Sequence, residues 1–193
     1  MKTFVRCLAL SPLLALVGAC CANGPCNRDD LQADSLYLTL KSVPASDPTS
    51  FTDAELDTVY LRRYSSTVID SLGDPVLLLR NQQRDASIIA RLSQAGLDPT
   101  TLVISNITPF APSTTGGKLN AYNYLLTVHN RTKGPTKTYN FRLTDIVLTG
   151  NYEADGCCTY YRNTKKTFRV NNVFQDVTET DKKPIAVTLA KPN

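Results

Sequence analysis

Leu36, Leu38 and Leu40 alternate with Tyr37, Thr39 and Lys41. A period of two places every second side chain on one face of an extended chain, so such a run buries one face and wets the other. The pattern recurs. Val59 and Leu61 lie between Tyr60, Arg62 and Tyr64, and Tyr122, Tyr124, Leu126 and Val128 share one parity. So do Tyr139, Phe141 and Leu143, after which the apolar parity switches to Ile146 and Leu148. A switch of parity inside one strand predicts a bulge near Thr144-Asp145. Gly134-Pro135 supplies a turn between these two runs, which are therefore expected to pair antiparallel.

Further β-prone segments are Leu102 to Ile107, Asn151 to Tyr161, Lys166 to Val173, and Ile185, Val187 and Leu189. Val76 to Leu79 is continuously apolar, the pattern of a strand buried on both faces. Helix is scarce. Thr52-Asp-Ala-Glu55 has capping-box spacing and predicts a single turn. Ile88, Ile89 and Leu92 recur near a 3.6 period between Asp85, a candidate N-cap, and Gly96, a candidate stop. Asp98-Pro99 marks a turn, and Pro109 to Gly117 is a breaker-rich loop. Many short strands with one or two short helices predict a mainly β fold, an antiparallel β-sandwich with immunoglobulin-like topology as the default.

The first twenty residues have a different logic. Lys2 and Arg6 precede an apolar run from Cys7 to Val17, broken only by Ser11 and Pro12. That run is short of the roughly 20 apolar residues a membrane-spanning helix needs, and it has the layout of a removable export signal. The tetrapeptide Val17-Gly18-Ala19-Cys20 resembles the lipobox of bacterial lipoproteins. The resemblance implies cleavage before Cys20 and acylation of its thiol and new amino group. The reading is a signal at 1–19, a short lipidated tether at 20–35 and one β-sandwich domain at 36–193. The tether has no long Gly/Ser linker.

Export also sets the chemistry of the remaining cysteines, because disulfides persist outside the reducing cytosol. Cys7 leaves with the signal and Cys20 carries lipid, so Cys21, Cys26, Cys157 and Cys158 remain. Four cysteines allow three connectivities. A bond between adjacent Cys157 and Cys158 strains a small ring, since disulfides favour Cα atoms ~5.5 Å apart. Two bonds between the clusters avoid that strain and close long loops, each worth several kcal/mol in the chain-entropy account, about 4.7 for a 100-residue loop. Cross-cluster pairing is therefore expected, in either of its two versions. With Cys26 so bonded, the stretch from Cys20 reaches ~20 Å at most. A four-cysteine zinc module is the alternative. The four residues between Cys21 and Cys26 suit it, but Cys157 and Cys158 point to opposite sides of an extended strand.

Catalytic signatures are absent from residues 20–193. His129 is the sole histidine and sits within a strand pattern, with no G-x-S-x-G or S-x-x-K motif to supply a nucleophile. Glu153 and Asp155 are the carboxylates on which a hydrolase of envelope or nutrient polymers would rest, but Glu153-Ala-Asp155-Gly156 equally has the composition of a solvated hairpin turn. No D-x-D-x-D-G calcium loop is present, and Gly116-Gly117-Lys118 lacks phosphate-loop spacing. No cofactor is expected. Removing Lys2 and Arg6 lowers the formal charge from +4 to +2, which gives no basis for a nucleic-acid partner. Nine tyrosines occur with no tryptophan. Tyr122, Tyr124, Tyr139, Tyr152, Tyr160 and Tyr161 lie on strand candidates, where tyrosine serves as a β-former or as a binding face with apolar body and polar rim. A protein or glycan partner of unknown identity would use such a face.

Two segments, Phe51-Thr-Asp-Ala-Glu-Leu-Asp-Thr-Val-Tyr-Leu-Arg-Arg-Tyr64 and Gly150 to Asn172 with its central Cys-Cys pair, resemble small uncharacterised lipoproteins of Bacteroidota. The resemblance implies the outer membrane as destination and no known activity. Acidic residues after the lipidated cysteine often direct surface export in that phylum. Asp29-Asp30 resembles such a signal but lies further downstream than usual, so both membrane faces stay open.

Overall fold

The computed structural model describes residues 33–42, 46–56, 59–65, 73–78, 86–110, 118–129, 137–155, 158–180 and 183–192. The chain is mainly β. Its strands are β1 (Ser35–Leu40), β2 (Val59–Ser65), β3 (Val76–Leu78), β4 (Leu102–Ser105), β5 (Tyr122–His129), β6 (Thr138–Asp155), β7 (Cys158–Val170), β8 (Val173–Asp176) and β9 (Ala186–Leu189). They form a three-stranded sheet of order β4-β1-β9 and a six-stranded sheet of order β3-β2-β5-β6-β7-β8. All pairs are antiparallel except β1 with β9, which runs parallel.

The alternating residues make the core between the sheets. Leu36, Leu38, Leu40, Leu102, Ile104 and Leu189 of the smaller sheet pack with Val59, Leu61, Leu126, Val128, Phe141, Leu143, Phe168 and Val170 of the larger. The predicted β5–β6 pair is present in register Tyr124↔Leu143 to His129↔Thr138. The parity switch in β6 is a register shift between Thr144 and Val147, with Asp145 at φ 52. A short polar side chain tolerates that left-handed backbone better than a branched one. Asn171 and Asn172, both at positive φ, turn β7 into β8, as the twist of a tight hairpin requires.

The two expected α-helical pieces are also present: α1 (Asp53–Leu56) and α2 (Ala86–Gln94). At α1 the Thr52 backbone N–H and hydroxyl donate to Glu55 Oε2 at 2.6 and 2.9 Å. At α2 the stop is Gly96 at φ 70, where Gly96 N–H donates to Ser93 O and Leu97 N–H to Leu92 O. Glycine takes this conformation without the Cβ cost other residues incur.

Two expectations are corrected. Val76–Leu78 is a short strand at the sheet's edge, partnered among the described residues by β2 alone, and Leu77 is 44% exposed. An edge position leaves one side open, which a short apolar run such as Val76 to Leu79 does not encode. Asn151 to Tyr161 is not one strand. The chain reverses between Asp155 and Cys158, which pair across a hairpin, and the return strand continues through Lys166 to Val170. The turn composition of Glu153 to Gly156 was the better guide. Asp85, Leu79, residues 111–117 of the loop and Gly134-Pro135 lie outside the described residues.

Candidate binding face on the hairpin arm

β6 and β7 outrun their neighbours. β5 pairs with β6 only up to Leu143, and β8 pairs with β7 only from Thr167 onward. Beyond those points β6 and β7 pair with each other, and the segment after β8 flanks β7 as far as Arg162. Val177 N–H donates to Lys166 O, Lys166 N–H to Thr178 Oγ1 and Arg162 Nη2 to Thr180 O. Among the described residues only the outer stretch, Tyr152 to Asp155 with Cys158 to Tyr161, therefore stands as a ribbon of two strands. The result is a two-stranded arm. An isolated ribbon is marginal in water, so its cross-strand contacts decide whether it holds.

Those contacts are specific. Tyr152 faces Tyr161 edge-on, ring centroids 5.2 Å apart. On the other face Tyr160 Oη donates to Glu153 Oε2 at 2.9 Å, and Arg162 Nη1 lies 3.6 Å from the same oxygen. Arg162 Nη2 donates to Thr180 O, and Thr164 Oγ1 to Thr149 O. Gly150 opposite Asn163 is required by space: a Cβ there would stand 2.3 Å from Arg162 O and 2.8 Å from the Tyr161 ring.

A second register shift, between Thr149 and Gly150, inserts Thr164 as an extra residue in β7. It resets parity, so Asn163 and Lys166 are both buried. Tyr152 and Tyr161 share the face of Asn163 and continue the sandwich's inner face past the point where the smaller sheet covers it. Tyr152 is 62% exposed.

The root of this face is a buried polar network. Asn163 Nδ2 donates to Ala33 O at 2.9 Å and Asp34 Oδ1 at 3.2 Å. Asn106 Nδ2 approaches Asp34 Oδ2 at 3.4 Å and its Oδ1 accepts from Leu119 N–H at 2.6 Å. Lys118 Nζ stands 3.7 Å from Asp34 Oδ2 and 6.0 Å from the Tyr161 ring centre. Lys166 Nζ donates to Glu179 Oε1 at 2.6 Å and Ser35 O at 3.2 Å. The first described residues are thereby pinned to the base of the arm. Sequence patterns missed this network, although Lys166 shares the parity of buried Phe168 and Val170, which was the available signal.

The other candidates are placed as follows. His129 is half-buried, edge-on to Tyr60 at 5.2 Å and 3.3 Å from Thr138 Oγ1. Glu153 is held by Tyr160 and Arg162 as above. Tyr124 is buried, donates to Leu119 O, and is pushed up in pKa by that burial. Tyr122 and Phe110 flank the Arg63 guanidinium at 4.8 and 5.0 Å, and Tyr139 lies against Phe51. Among the described residues no three His, Cys, Asp or Glu side chains gather as a metal set, and no helix is long and apolar enough to cross a membrane. Residues 1–19, Cys20, Cys21, Cys26, Asp29, Asp30, Cys157 and the side chains of Asp155 and Cys158 lie outside the description. No family model, curated protein or solved structure matches this chain.

Proposed function

We propose that this protein is a lipid-anchored envelope domain that acts by binding, with the tyrosine face of the β6–β7 arm as its contact surface. The single observation that carries the contact surface is the exposed Tyr152 ring, braced edge-on by half-buried Tyr161 on a ribbon that leaves the sandwich. The lipobox at Cys20 carries the anchor, and its resemblance to Bacteroidota lipoproteins points to the outer membrane. Glu153 already satisfies Tyr160 and Arg162, which favours a structural role for it over that of a hydrolytic carboxylate.

Chain reach supports the cross-cluster disulfides of Cys21 and Cys26 with Cys157 and Cys158. Cys158 stands five residues along β7 from Asn163, ~17 Å at strand spacing. Ala33 touches Asn163, and the seven steps back to Cys26 extend up to ~25 Å. Fractionation tests the anchor. The native chain should sediment with membranes, and Cys20→Ser should remain in the unprocessed form. Processing and membrane retention unaffected by Cys20→Ser would refute it.

A further inference from the structure

We infer that the tyrosine face of the arm rests in the headgroup layer of the membrane that holds the anchor. The inference builds on the lipid-anchor reading and names the partner of that same face. Two distances carry it. The chain leaves the described domain at Ala33, which is hydrogen-bonded to Asn163 at the root of the arm. Thirteen steps separate Cys20 from Ala33, a span of at most ~45 Å when fully extended, and the proposed bonds of Cys21 and Cys26 to the cysteines at the arm's tip shorten it. The arm itself projects five pairs beyond Gly150–Asn163, ~17 Å. Tether and arm start at one point, and the proposed cross-links hold Cys20 one residue from a cysteine bonded to the arm's tip, so the surface that holds the lipid lies within the arm's reach.

The chemistry of the face suits that surface. Tyrosine rings settle at the headgroup level, apolar body inward and hydroxyl in water. Tyr152 is exposed and braced by Tyr161. The opposite face of the arm carries Glu153 with Arg162 and Tyr160, a polar surface suited to water. Phe174, also exposed, pairs with Arg169 about 20 Å along β7 in the other direction from Asn163 and serves as the internal contrast.

The chain contains no tryptophan, so one introduced indole reports without background. Tyr152→Trp and Phe174→Trp are made separately in the full-length acylated protein. Each is reconstituted in phosphatidylethanolamine–phosphatidylglycerol vesicles whose lipids are brominated high on the acyl chain. Emission from position 152 should shift to the blue and fall about twofold or more relative to unbrominated vesicles, as for an interfacial ring. Emission from position 174 should not change. Both positions are exposed, so neither substitution disturbs the core. An unquenched indole at position 152 in vesicle-bound protein overturns the proposal and turns the face toward a protein or glycan partner. Equal quenching at both positions overturns it too, since the domain then has no preferred orientation. Intact mass of the same sample separates the two levels. An unmodified Cys20 removes the anchor and the arm contact together, whereas an acylated Cys20 with no quenching at position 152 removes only the arm contact.

Discussion

The buried Lys166–Glu179 pair yields an asymmetry that pairwise contact counting would miss. The Lys166 side chain is 2% exposed and that of Glu179 is 19%. At 2.6 Å their attraction is about 6 kcal/mol with an effective dielectric near 20, most of which is offset by the cost of taking both charges from water. The sign of each variant depends on which charge is stranded. Glu179→Ala leaves an ammonium deep in the domain with Ser35 O as its remaining acceptor. That should cost about 3 kcal/mol, the lower end of the range for broken buried pairs. Lys166→Met keeps most of the side-chain volume and leaves a carboxylate that turns to water, so its cost should be about 1 kcal/mol or less. The double variant should match Lys166→Met and not the sum. Calorimetric Tm measures all three. For a domain of this size 1 kcal/mol moves Tm by roughly 2–4 °C, so Glu179→Ala should fall by roughly 6–12 °C and Lys166→Met by roughly 4 °C or less. Equal losses, or a larger loss for Lys166→Met, would refute the reasoning.

Three further outcomes are expected. Gly150→Ala forces a methyl against the Arg162 carbonyl, an overpacking cost of about 1–3 kcal/mol confined to the arm. Amide protection in 151–154 and 159–162 should drop roughly 10- to 100-fold while β5 is unchanged, and loss of protection in β5 as well would contradict a separable arm. Burial alone would push the Glu55 carboxyl up, but Lys191 at 2.8 Å and the Thr52 N–H and hydroxyl hold it below its ordinary value. A depressed folded pKa gives stability that is complete above the unfolded value near 4.3 and is lost as pH falls through the folded one. The Tm gap between wild type and Lys191→Met should therefore be wide at pH ~7 and narrow below pH ~4, and a constant gap would count against the ion pair. Asn163→Ala removes the donor to Ala33 and Asp34, so proteolysis should begin earlier at the N-terminal side of β1. An unaltered cleavage pattern would show that the network does not hold the tether's end.

Much of the sandwich was legible because its strands bury one face. β1, β5 and β6 declare themselves by parity, and the Asp145 bulge by a change of parity that a continuous strand does not tolerate. Local chemistry also carried α1 and the end of α2, where a capping glutamate and a left-handed glycine each act within a few residues of the helix end they set. The failures have two causes. Whether Val76–Leu78 lies at an edge and whether Lys166 meets Glu179 depend on residues outside the run itself, whereas the fold-back of the tyrosine-rich run was signalled locally by Glu153 to Gly156 and outweighed by its β-prone composition. The tyrosine excess was visible. Its concentration on a ribbon beyond the sandwich was not, because that depends on where β5 and β8 stop.

The lipid anchor stands or falls on the chemistry of Cys20. Intact mass spectrometry of the protein extracted from native membranes, with and without reduction, reads it in one experiment. The expected species is a chain that begins at Cys20, carries diacylglycerol and an N-acyl group, and gains about four hydrogen masses on reduction as two disulfides open. A chain that retains its first nineteen residues or has an unmodified Cys20 would contradict the anchor, and no gain on reduction would contradict the cross-linked tether.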